Sequence, residues 1–139
     1  MIDYTRAVNE RLKGTMAELI GMRVTHAEPR RVAGELTMRD DLRQAYGYLH
    51  GGALVTLMDT LAGMASALNV APDQTFLTVE LKINFLRSVR SGRVLAEANA
   101  VHIGRRTHVW QVTAHDEHGR QLALVTLTQL VLEPRQEAS

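Results

Sequence analysis

Apolar and polar positions along this chain change period several times, and each change marks an element. Between residues 4 and 20, Val8, Leu12, Met16, Leu19 and Ile20 recur at helical spacing, with Arg6, Glu10, Arg11, Lys13 and Glu18 between them. That pattern predicts one amphipathic helix ending near Gly21. Residues 22–29 and 31–38 read as two short strands separated by Pro29-Arg30, with Val32, Gly34, Leu36 and Met38 alternating against Ala33, Glu35 and Thr37. Residues 39–50 carry no period and form a long loop, and loops of that length inside a compact domain are often functional. From Gly51 to about Leu68 the chain is apolar or small on every face of a helix, and Pro72-Asp73 marks the exit.

Four further strands follow at 75–86, 93–103, 107–116 and 121–132. In the first, Leu77, Val79, Leu81, Ile83 and Phe85 share one face, and Thr78, Glu80, Lys82 and Asn84 the other. Short turns at Ser91-Gly92, Gly104-Arg105-Arg106 and Asp116-Glu117-His118-Gly119 predict an antiparallel meander. The tail from Glu133 to Ser139 is polar and expected to fray. A helix that is hydrophobic all round is buried, so a curved sheet of about six strands is expected to wrap it in an α+β arrangement. The sheet's other face must then meet solvent, a second helix or another subunit. No repeat, linker or low-complexity tract divides residues 1–139, which read as a single domain.

Composition narrows the function classes. The chain has 139 residues, 16 basic against 15 acidic, for a formal net charge of +1. That balance gives no electrostatic case for nucleic acid or an anionic membrane. There is no cysteine, which excludes disulfides, thiolate metal sites and a cysteine nucleophile. The N-terminus lacks the basic-then-apolar pattern of a signal peptide, and the longest apolar run is short for a span and contains a carboxylate. A cytoplasmic protein without a membrane partner is expected. His115 and His118 flank a polar turn, His26, His102 and His108 sit in strand patterns, and none shows metal-ligand spacing. No Gly-x-Ser-x-Gly, Walker or dinucleotide fingerprint is present.

The informative residue is Asp59, a carboxylate inside the apolar helix. Burying it is costly unless it is paired or hydrogen-bonded, so it is held either for structure or for chemistry. His50-Gly51-Gly52 opens the same helix, where free N–H groups and the helix dipole favour negative charge. His50 itself is a candidate to hold the helix start, orient the loop or donate to a carbonyl. Gly51 and Asp59 are eight residues apart, roughly 12 Å along a helix axis. A base or nucleophile must come within about 3 Å of its target. If both groups act on one substrate, they must come from different subunits, which predicts an obligate dimer with two shared sites.

The stretch from Gln44 through Tyr46, Tyr48 and His50-Gly51-Gly52 to Asp59 resembles hotdog-fold acyl-CoA thioesterases, of the phenylacetic-acid-degradation and 4-hydroxybenzoyl-CoA types. The likeness continues through Val79–Leu86 and Gly104–Thr107 and covers about residues 15 to 132. The resemblance implies a hotdog domain that hydrolyses an acyl- or aryl-CoA thioester to a carboxylic acid and free CoA. Asp59 would be the nucleophile or general base, and the Gly51 N–H of the opposite subunit would polarise the carbonyl. Gln44 matches the Asn/Gln position near the carbonyl or the attacking water, and His50 the motif histidine. Thr78 falls where some members carry a water-positioning Ser. Gly52, Tyr46 and Tyr48 are candidates for lining the substrate, as are Leu49, Met58 and Leu61, and Arg87, Arg105 and Arg106 for meeting CoA phosphates. No metal or cofactor is called for, CoA being part of the substrate. A homodimer, paired into a homotetramer, is implied. Two departures stand out: Gly63 replaces the Ser or Thr that some members carry one turn after the acid, and Asp59 replaces the Glu of one branch. The rival readings are a hotdog protein that binds acyl-CoA without hydrolysing it, and a hotdog hydratase or dehydratase.

Overall fold

A computed structural model describes residues 2–134. Two short helices, α1 (Thr5–Leu12) and α2 (Met16–Leu19), precede strands β1 (Arg23–Glu28) and β2 (Arg31–Thr37). The long helix α3 (Gly51–Ala67) follows a loop containing a 3-10 turn at Asp40–Leu42. Strands β3 (Thr75–Phe85), β4 (Arg93–Ile103), β5 (Thr107–Asp116) and β6 (Gln121–Leu132) complete the chain. All six strands form one antiparallel sheet in the order β1-β2-β4-β5-β6-β3. The sheet curls around α3, whose Leu57, Met58, Leu61, Ala62 and Ala65 are fully buried against Val32, Ala98, Trp110, Val112 and Val125. At Gly34 a Cβ would come within 2.8 Å of both the Arg23 carbonyl oxygen and Leu61 Cδ2. The absence of a side chain there lets the helix lie close on β2.

Three expectations need correction. The single N-terminal helix over 4–20 is broken into α1 and α2: Gly14 takes φ +74°, a left-handed conformation that ends a helix. The meander holds only for β4-β5-β6, because β3 crosses the molecule to pair with β6 rather than with β4. Ser91-Gly92 therefore ends a crossing segment instead of turning a hairpin. The strict alternation along β3 also fails. The register slips between Thr78 and Glu80, a bulge that moves the inward set from Phe76 and Thr78 to Leu81, Ile83 and Phe85. Leu77 and Val79 are left 58% exposed, and Thr78 faces the helix. Of the tail expected to fray, residues 135–139 lie outside the described residues, while Glu133 Oε1 accepts a 2.8 Å bond from Gln74 Nε2.

The two sheet edges are treated differently. On β1, Asn9 of α1 donates from Nδ2 to the Val24 carbonyl (2.9 Å) and accepts the Val24 N–H (3.0 Å), and Tyr4 N–H donates to the Ala27 carbonyl at 2.8 Å. That edge is covered. The outer edge of β3 has no backbone partner among the described residues, and its strand carries exposed Leu77, Val79 and Phe85.

Candidate active site

Asp59 lies midway along α3, half-buried, and its Oδ1 accepts the hydroxyl of Thr78 at 2.8 Å. The β3 bulge makes this contact possible by turning Thr78 inward. The two residues share a cavity of about 290 Å³ with Gly63, Met64, Phe76 and Gln129, roofed by Arg11 of α1 and by Thr15 and Met16 at the start of α2. A Cβ on Gly63 would sit 3.6 Å from Phe76 and 3.8 Å from Gln129 Nε2, so the missing side chain widens the cavity beside the acid.

The start of α3 lies elsewhere. Gly51 opens a separate cavity of about 240 Å³, lined also by Gln44, Leu49, Phe85, Arg87 and Val89. His50 is the N-cap, and its Nδ1 accepts the Gly52 N–H at 2.7 Å. That bond removes Gly52 as a donor to substrate and leaves the Gly51 N–H without a partner among the described residues. The Phe85 ring packs on Gly51, at 3.0 Å from where a Cβ would be. Gln44 Oε1 accepts from Tyr46 N (2.6 Å) and Tyr48 N (3.2 Å). Its oxygen braces the loop, and its amide NH2 is the group left for a ligand.

The remaining candidates are dispersed. Tyr46 is exposed and lines neither cavity. Tyr48 stacks beneath the Arg90 guanidinium, 4.0 Å from its ring centroid, in a neighbouring polar pocket with Asp116 and Arg120. Met58 and Leu61 are core. Arg87 borders the Gly51 cavity, whereas Arg105 and Arg106 occupy the exposed β4–β5 turn, at the opposite end of β6 from the segment that faces Phe85. The Asp116 turn is structural: Asp116 Oδ1 accepts the N–H groups of His118 and Arg120, and Oδ2 the Arg120 guanidinium. Among the described residues no cluster of His, Asp or Glu could hold a metal ion.

Sequence reasoning missed what lies behind Thr78. Gln129 Nε2 donates to Thr78 Oγ1 at 3.2 Å, and Gln129 Oε1 accepts from Ser66 on α3. Ser66 Oγ also meets His108 Nδ1 and Trp110 Nε1, each at 2.8 Å. All four residues are buried. Burial, with the nearby His102 charge adding to it, pushes His108 below its ordinary pKa of 6.5. A buried Gln on a strand that otherwise points Leu127, Val125 and Val131 inward was the available signal.

The family model of the thioesterase superfamily matches residues 46–123, the span from the Gly51 cavity through Asp59 to β6. The chain belongs to the thioesterase superfamily. The thioesterase is 32% identical to a 1,4-dihydroxy-2-naphthoyl-CoA hydrolase of Listeria monocytogenes over 86% of this chain and 98% of that one. It is also 32% identical to the proofreading thioesterase EntH of Klebsiella pneumoniae, over 91% of this chain and 92% of that one. The crystal structure of a mutant thioesterase from Pseudomonas aeruginosa superposes with a TM-score of 0.88 at 32% identity, covering 92% and 93% of the two chains. The curled six-stranded sheet around one helix is the hotdog fold, and thioester hydrolysis is the reaction class of this protein. No helix of the described residues is long and apolar enough to cross a membrane.

Proposed function

We propose that this thioesterase hydrolyses acyl- or aryl-CoA thioesters at sites shared between two copies of the chain. The observation that carries this reading is the placement of both half-sites on one open edge strand. Thr78, bonded to Asp59, and Phe85, packed on Gly51, are both inward residues of β3. They lie seven residues apart, roughly 23 Å along a strand. Antiparallel self-pairing of β3 about the midpoint between them sets Thr78 of one copy beside Phe85 of the other. Asp59 then faces the partner's Gly51 N–H, closing the gap of roughly 12 Å that separates them within one helix. Pairing would also cover Leu77 and Val79, which are otherwise exposed. Exposed Val101 on β4 and Leu130 on β6, with β5 between them, offer surface for a dimer of dimers.

At such a site the thioester carbonyl oxygen accepts the Gly51 N–H, with the positive end of α3 behind it. Gln44 offers its amide to the carbonyl or the water. Asp59 either attacks the carbonyl carbon or takes a proton from the water that does. If Asp59 attacks, the carbon–sulfur bond breaks to give an Asp59 acyl anhydride and CoA thiolate, and water then hydrolyses the anhydride to the acid. If Asp59 takes the water's proton, hydroxide adds to the carbonyl, the carbon–sulfur bond breaks, and that proton passes to the departing sulfur. Arg87 lies at the rim of the Gly51 cavity and is the arginine proposed to meet CoA phosphate. A relative named as the hydrolase of an aryl-CoA favours an aryl group. The reading is tested by thiol release from a panel of aryl and acyl CoA thioesters. Wild type should turn over at least one of them, and Asp59→Asn, folded and with the same oligomeric state, should lose most of that turnover. A fully active Asp59→Asn enzyme contradicts it, and tight acyl-CoA binding without thiol release selects the binding protein instead.

A further inference from the structure

We propose that Gln129 is a positioning residue, locked by Ser66, His108 and Trp110 so that the single hydroxyl proton of Thr78 is delivered to Asp59 Oδ1. The inference rests on the reading of Asp59 as the reacting carboxylate. His108 on β5, Gln129 on β6 and Thr78 on β3 lie directly opposite one another across three strands. Asp59 and Ser66, two turns apart on α3, descend on the two ends of that row. The result is one unbroken chain of hydrogen bonds from Trp110 to Asp59.

Its direction follows from counting protons. The carboxylate form of Asp59, the form that attacks or accepts a proton, offers only acceptors, so Thr78 must donate to it. Thr78 has one hydroxyl proton, so its remaining contact, Gln129, must donate, which turns the Gln129 NH2 toward β3. Gln129 Oε1 then faces Ser66, and Ser66 must donate its only proton there. Ser66 Oγ is left accepting from its other two neighbours. Trp110 Nε1 is a donor in every case, and His108 must carry its proton on Nδ1. No link can be reversed without leaving two acceptors face to face in a buried site. With Oδ1 bound to Thr78, Asp59 Oδ2 is the oxygen held toward the substrate. The row thus fixes which carboxylate oxygen reacts and in what orientation.

Gln129→Met removes the donor to Thr78 and the acceptor for Ser66 together, so the Thr78 proton is no longer held on Asp59 Oδ1. Its kcat on a CoA thioester turned over by wild type should fall roughly tenfold to a hundredfold with KM nearly unchanged. Thr78→Val should show the same split, and Thr78→Ser should restore most of the rate. In the Thr78→Val background, Gln129→Met should cost little more, because the contact through which it acts is gone. An unchanged kcat in folded Gln129→Met, or full additivity of the two variants, overturns the proposal. Nitrogen-15 NMR of the wild-type histidines gives an arm that needs neither substrate nor variant: His108 should be protonated on Nδ1, and an Nε2–H tautomer overturns the chain's direction. An active Asp59→Asn enzyme would instead overturn the thioesterase site, leaving the tautomer result to decide the hydrogen-bond chain.

Discussion

Among the described residues Asp59 accepts a single hydrogen bond, from Thr78, although it sits in an apolar stretch of helix. A carboxylate held only for structure would be more fully bonded, and its remaining capacity faces a cavity. His50 shows the opposite economy. Its Nδ1 is occupied as the cap of α3, so the motif histidine serves first to select which glycine N–H stays free. His50→Ala should lower stability by about 0.5–2 kcal/mol, and His50→Asn, a good cap, by much less, as measured by urea unfolding. Equal losses in the two variants would deny the capping role. Gly63 makes a separate prediction. A Cβ there meets only ordinary van der Waals contacts, so Gly63→Ala should stabilise the helix by about 0.5–1 kcal/mol. The same methyl narrows the Asp59 cavity, so KM for the bulkiest substrates should rise. Destabilisation in a thermal melt would show that the cavity wall cannot accommodate it.

At the scale of elements, β3 decides the site. Its alternation of Leu77, Val79, Leu81, Ile83 and Phe85 was legible in the sequence, but the bulge that reverses the face between Thr78 and Glu80 was not, because an inserted residue leaves no mark on a pattern of similar side chains. Strand limits at β4, β5 and β6 were legible because short Gly-containing turns bound each one. The order of the strands was not: nothing local says that β3 pairs with β6 across the sheet. The break between α1 and α2 at Gly14 was signalled by the residue type but masked by helical spacing on either side. His108, read as structural from its strand, is indeed buried, and it makes a pH prediction. Its folded pKa is depressed below 6.5, so below that pH the unfolded chain binds the proton more readily. Stability should therefore be level above about pH 6.5 and decline as pH falls below it. The lowered carboxylates, such as Glu97 beneath Arg31, act only below about pH 4.5. Urea midpoints between pH 5 and 8 should show this slope, and His108→Asn should flatten it. A wild-type slope that survives the substitution would assign it to another group.

For the whole molecule, the spacing along a single helix calls for two subunits if Gly51 and Asp59 act on one substrate, and the proposed dimer uses the open edge of the sheet. One sheet edge is covered by Asn9 and Tyr4, and the other, β3, is open and carries both half-sites. The family was legible from the run between Gln44 and Asp59. The buried support of the acid was not, since Ser66, His108, Trp110 and Gln129 are scattered over 63 positions from Ser66 to Gln129 and meet only through the sheet. The claim that two chains share each site is tested most directly by complementation. Asp59→Asn and Gln44→Ala chains, each weakly active alone, are co-expressed so that they form mixed dimers. If the site is shared, one of the two sites in each mixed dimer is wild type, and random pairing should restore thioesterase activity to about one quarter of the wild-type value. If Asp59 and Gln44 of the same chain act together, no mixed dimer contains an intact site. Activity that merely averages the two parents would then contradict the account.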